Sequence, residues 1–243
     1  MSKHLYCSTQ RCDDPQQSRE AALEENPLNE PASPTGGRRK RGVTVHSRLW
    51  APGRQLRIAF EGDVACDVQQ AVMSVACQWT CYGNISFVLI QDLARAHIRI
   101  QMLPSGSDIN RSYIGTDALR ANDPTMTLSE WPGDEHFVRN VLHEFGHVLG
   151  LEHEHQHPDA DIPWNTEKLL AAAQAGGLSE ADIRRDFLDR IERRGSLLRP
   201  YDRDSIMHYP IPNGATLGDW SVGVNAVLSE GDKALMGLAY PYP

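Results

Sequence analysis

Alternation of apolar and polar positions sorts this chain into short strands and amphipathic helices. Arg54–Phe60 (RQLRIAF), Asn84–Ile90 (NISFVLI) and Ala96–Met102 (AHIRIQM) carry the two-residue period of strands. Between the first two, Asp63 stands where it would cap a helix over Val64–Trp79. The order strand, helix, strand, strand predicts a mixed sheet with a helix on one face. Residues 103–124, dense in Gly, Ser, Asp and Pro, read as loops. Thr125–Leu128 reads as a short edge strand, able to pair with an extended peptide. A helix then opens near Asp134 or Glu135 and ends at Gly150, where the missing Cβ lets the chain turn. Pro158–Trp164 reads as a loop, and a helix from Asn165 or Thr166 is stopped by Gly176-Gly177. Two capping pairs, Ser179 with Asp182 and Ser229 with Asp232, open helices to about Arg194 and over Glu230–Leu238.

Before these elements the pattern fails. Residues 1 to about 44 are rich in Gln, Glu, Asn, Pro, Ser and Arg and poor in apolar side chains, which predicts a disordered arm. The run Arg38-Arg39-Lys40-Arg41 closes it, either as a solvated basic linker or as a processing site that frees Gly42. At 243 residues, the chain is large enough for one domain with its own core beside this arm. A net charge of −8 argues against nucleic acid as the main partner. No apolar run approaches a membrane span, and the first residues contain no stretch resembling a secretory leader. The five cysteines (Cys7, Cys12, Cys66, Cys77, Cys81) do not form a disulfide framework by count or spacing. Cys77 and Cys81 read as small buried residues, a bridge within one helical turn being geometrically poor.

The candidate chemistry lies at the end of the long helix, in HEFGHVLGLEH over His143–His153. Residues four apart share a helix face, so His143 and His147 point at one place. A turn at Gly150 brings His153 back to it. Three nitrogen ligands leave one position of a zinc ion open, as catalysis requires and a closed structural site does not provide. Glu144, not needed as a ligand, is placed as the base that takes a water proton and hands it to the leaving amine. The alternative is an amphipathic helix whose histidines face solvent. His97 lies in a strand pattern and reads as a packing or surface residue. His155 and His157 read either as a second metal site or as exposed loop histidines. A flexible arm could bring Cys12 to the metal and block it.

His143–His153 together with Ser205-Ile206-Met207-His208-Tyr209 resembles the metzincin zinc peptidases, and most closely the astacin family. The resemblance runs over roughly residues 45–243. It implies an α+β zincin fold: a mixed twisted sheet with the active-site helix, then a mostly irregular and helical C-terminal subdomain. The upper subdomain would cover about 45–153 and the lower about 154–243. It further implies one zinc ion on His143, His147 and His153, a methionine turn at Met207 beneath it, and Tyr209 as a swinging ligand and oxyanion donor. The partner would be an extended protein or peptide substrate and the chain a secreted monomer. Glu154, the family's residue after the third histidine, would pair with a mature amino terminus only after the arm is cut. Phe60-Glu61-Gly62-Asp63 fits the family's aspartate-switch pattern, but its place after a predicted strand reads as a turn and cap. A zinc-bearing binding module without turnover is the rival, and the intact Glu144 speaks against it. A latent enzyme delivered as a toxin or effector is a second rival, different in biology and not in chemistry.

Overall fold

A computed structural model describes residues 7–30, 47–107, 109–175, 179–193 and 196–243. Six strands form one mixed sheet in the order β1-β5-β6-β4-β2-β3: β1 Cys7–Gln10, β2 Gln55–Phe60, β3 Ser86–Leu89, β4 Ile98–Met102, β5 Asn110–Tyr113 and β6 Met126–Leu128. Only the β5–β6 pair is antiparallel. The inward faces of β2, β4 and β6 present Leu56, Ile58, Ile98, Ile100, Met126 and Leu128, all essentially inaccessible. They share one core with α2 (Cys66–Ala76) and with α3 (Phe137–Val148), the helix predicted to hold the chemistry. Each such side chain contributes roughly 1.5–3 kcal/mol, so α3 is fixed along its length.

The end of α3 is sealed by partners far away in sequence. Trp50 Nε1 donates to the carbonyl of Val148 at 2.7 Å, and the Tyr240 hydroxyl to that of Leu149 at 2.7 Å. Both are carbonyls that a helix terminus leaves without an intrahelical partner. Gly150, at φ +85°, then reverses the chain. Its amide meets the His147 carbonyl and the Leu151 amide meets that of Gly146, the paired bonds of a Schellman stop.

Five expectations are corrected. The arm is not featureless: beyond β1, Pro15–Glu25 forms α1, capped by Asp14. Small Ala21 and Ala22 let α1 lie against the body, while Asn26 and Asn29 bond the backbone carbonyls of Trp50 and Leu49. Order here comes from hydrogen bonds and close approach, which apolar content does not register. Asp63 is exposed and caps nothing; α2 begins after Ala65 with no side-chain cap. Residues 103–124 contain β5, whose polar NRSY sequence shows no alternation. Its pairing also makes β6 an inner strand, not an edge. The helix opened by Ser179 is short: α5 spans Glu180–Ile183 and gives way to a π turn over Arg184–Leu188, after which Ile191 bonds the Gln156 carbonyl. The remaining helices are α4 (Thr166–Ala175) and α6 (Glu230–Ala239), the latter with both arms of its Ser229–Asp232 capping box. The basic run at 38–41, Gly42, Gly176-Gly177 and Arg194 lie outside the described residues.

Candidate metal centre

α3 carries His143 and His147 on one face, and the turn at Gly150 returns His153 to them. The Nε2 atoms of His147 and His153 are 3.1 Å apart. The opposite nitrogens are held by the backbone: His143 Nδ1 meets the Ile206 carbonyl at 2.8 Å and His147 Nδ1 that of Leu151 at 2.8 Å. A donor at Nδ1 leaves the Nε2 lone pair free for a metal. Burial pushes the imidazoles of His143 and His153 well below their usual range and that of His147 to about 4. All three are therefore neutral at pH 7, the ligating form.

The sulfur of Cys7 completes the group. Its Sγ lies 3.1, 3.3 and 3.1 Å from the Nε2 atoms of His143, His147 and His153. All four donor atoms fall within 4.8 Å of one another and all four residues are buried. A tetrahedron built on zinc's bonds to nitrogen and sulfur has edges of roughly 3.4–3.6 Å, slightly longer than these. Three imidazoles and a thiolate are also a donor set that suits zinc, so the residues fit the ion. Cys12, the cysteine considered from the sequence, is not in the group. It is half-buried, and its amide donates to Asp117 at 3.2 Å. One sequence signal separates the two: Asp14-Pro15 is a helix-start pair that places Cys12 just outside α1, whereas Cys7 is followed by strand-compatible Ser8-Thr9.

Glu144 is buried beside this group, with one carboxylate oxygen lacking a hydrogen-bond partner. Burial pushes its carboxyl up to about 8, against the pull of a hydrogen bond with Cys7 and of the Arg139 guanidinium. Tyr209 enters from the far side. Its hydroxyl donates to the carbonyl of Cys7 and stands 3.8 Å from the sulfur. Its ring lies 4.3 Å from that of His153 and stacks on His155 at 4.3 Å and 21°.

The turn carrying Met207 is fixed from three directions. Asp232, at the start of α6, accepts from Ser205 Oγ at 2.6 Å and from the Ile206 amide at 2.8 Å. The Met207 carbonyl accepts from the Glu154 amide, and Glu154 Oε1 accepts from the Asp202 amide at 2.8 Å. Gly146 was not singled out by its sequence context, yet a Cβ there would stand 2.3 Å from Met207 Sδ and 3.2 Å from Trp79. Gly146→Ala gains about 1 kcal/mol in helix propensity but overpacks by about 1–3 kcal/mol. A thermal melt should therefore show a midpoint lower by several degrees.

The other singled-out residues divide. His97 is a packing histidine: its Nδ1 accepts from the Arg57 amide at 3.0 Å, near the Trp50 ring. His155 and His157 are not exposed; they are 1% and 3% accessible. They join no metal group among the described residues; His155 Nε2 meets the Asp186 carbonyl, and His157 Nδ1 accepts from the Asp159 amide. His208, without an assigned role from sequence, bridges the Tyr201 hydroxyl and the Tyr209 carbonyl. Cys77 and Cys81 are half-buried and exposed free thiols rather than core residues.

Comparison with known proteins agrees with this geometry. The family model described as Astacin, a peptidase family, matches residues 43–220. Zinc metalloproteinase nas-39 of Caenorhabditis elegans is 26% identical over 212 residues, covering 81% of this chain and 21% of that protein. Nematocyst expressed protein 6 of Nematostella vectensis is 31% identical over 118 residues, covering 42% of this chain and 36% of that protein. The chain thus spans a fifth to about a third of these relatives' length. Among solved structures, myroilysin superposes with a TM-score of 0.73 at 33% identity, covering 81% of this chain and 97% of that one. The hatching enzyme zinc-protease HCE-1 of Oryzias latipes shares the fold at a TM-score of 0.57 and 17% identity, covering 81% and 96%.

Proposed function

The chain belongs to the astacin family of zinc metalloendopeptidases, and from that premise we propose that it hydrolyses internal peptide bonds of extended polypeptides with Glu144 as general base. The observation that carries this reading is the convergence of three neutral, backbone-oriented imidazoles with Glu144 directly beside the first. His143, His147 and His153 would hold the zinc ion, which would supply a Lewis acid for the scissile carbonyl and acidify water. Glu144 takes the proton of the attacking water and delivers it to the departing amine. The Tyr209 hydroxyl hydrogen-bonds the oxyanion. Met207 and Glu154 hold the floor of the site, and Gly150 the return of His153. Every group comes from one chain, which favours a monomer, with residues up to His153 as the upper wall of the cleft and those after it as the lower. No described helix is long and apolar enough to cross a membrane.

The arm would keep the enzyme latent: the Cys7 sulfur lies 3.1–3.3 Å from the three histidine Nε2 atoms, where it would complete the donor set for zinc, and the Cys7 carbonyl accepts from the Tyr209 hydroxyl. One residue would thus take both the place of the water and the oxyanion donor. The direct test uses the arm-released enzyme. Tyr209→Phe should lower kcat by about 10²-fold with a much smaller change in KM, the usual cost of losing one oxyanion donor. Removing the metal with a chelator should abolish turnover, and zinc should restore it. Full activity after metal removal would overturn the assignment.

A further inference from the structure

The arm lies in the cleft, pairing in parallel with β5, and one of its side chains marks a subsite. Arg11 Nη2 donates to Glu152 Oε2 at 2.7 Å. Glu152 directly precedes His153, is 20% exposed, and lines the same cleft as Cys7 and Tyr209. Its other oxygen is 3.9 Å from Arg48 Nη1, but Arg48 is anchored by its Nε to Asp117 at 2.8 Å. Once the arm leaves, Oε2 faces the cleft with no cation of the described residues on it. Arg11 follows Cys7 by four residues and lies one residue past the end of β1. Cys7 reaches the histidines while Arg11 reaches Glu152, so one extended peptide can span both. Four residues at about 3.3 Å each place the Arg11 backbone roughly 13 Å along the arm from that of Cys7. The departing β1 also uncovers β5, an edge on which a substrate strand can pair.

We infer that Glu152 is a specificity residue that selects a lysine or arginine three to five residues from the scissile bond, always on the same side of it. The inference rests on the endopeptidase reading above. A partly exposed ion pair of this kind gives a preference of about 1.5- to fivefold. The test uses the full chain carrying Cys7→Ser, to open the metal, and Arg11→Ala, to keep the arm from competing. A cleavage-site profile on a peptide library should show basic enrichment at that position. Glu152→Gln should remove the enrichment, and Glu152→Lys should replace it with an acidic one. Matched peptides with Arg or Ala there, titrated by calorimetry onto the same chain with Glu144→Gln, give the preference without turnover. Cleavage with no basic bias, a bias that survives Glu152→Gln, or equal binding of the two peptides would overturn the subsite. An Arg preference in binding alongside no cleavage by the zinc-loaded chain would support the subsite and count instead against the peptidase reading.

Discussion

Glu144→Gln should leave zinc bound and reduce peptide hydrolysis by at least about 10²–10⁴-fold, the range for losing a positioned general base. The amide fills the same buried space beside His143 but accepts no proton. The metal should be untouched, because the ligands are held by other atoms: His143 by the Ile206 carbonyl, His147 by that of Leu151. Zinc content by atomic absorption and turnover of a denatured protein, both on the arm-released form, separate the two effects. Retained turnover would remove Glu144 from the mechanism. Loss of zinc together with turnover would give it a structural role instead.

Cys7→Ser should raise the activity of the intact chain by about ten- to a hundredfold, and Cys12→Ser should leave it unchanged. A factor of ten corresponds to about 1.4 kcal/mol in the closed–open equilibrium, and replacing a thiolate ligand by a neutral hydroxyl weakens the closed state by at least that. Activation should stop short of complete, because the arm has other anchors. Ser18 Oγ and the Cys12 amide both donate to Asp117, and Asn26 and Asn29 bond the backbone at Trp50 and Leu49. Cobalt-substituted protein gives a readout independent of activity. A thiolate-to-cobalt charge-transfer band should be present in the intact chain, absent in Cys7→Ser and unaffected in Cys12→Ser. A band that follows Cys12, or no band at all, would refute closure by Cys7.

What could be read from the chain was what depends on neighbours a few residues apart. The helical spacing of His143 and His147 needs only the geometry of one helix. The stop at Gly150 needs only a missing Cβ. The strands β2 and β4, buried on their inner faces, announce themselves by Leu56, Ile58, Ile98 and Ile100. Polar segments that owe their order to distant partners were illegible. β5 is four polar or aromatic residues laddered between β6 and the arm, and α1 docks through alanine and asparagine. His155 and His157 looked like loop histidines because nothing nearby in sequence says that Phe187, Tyr209 and Tyr201 close over them.

By itself, then, the sequence determined a helix-borne histidine pair, the third histidine after a glycine turn and the carboxylate between them, since these follow from local periodicity and chirality. Only the tertiary structure decided which cysteine meets them, what holds Tyr209 and what faces Glu152. Cys7 and His143 are 136 residues apart, and contacts over such separations are set by how the sheet, α3 and the arm pack, which no short window of the chain encodes.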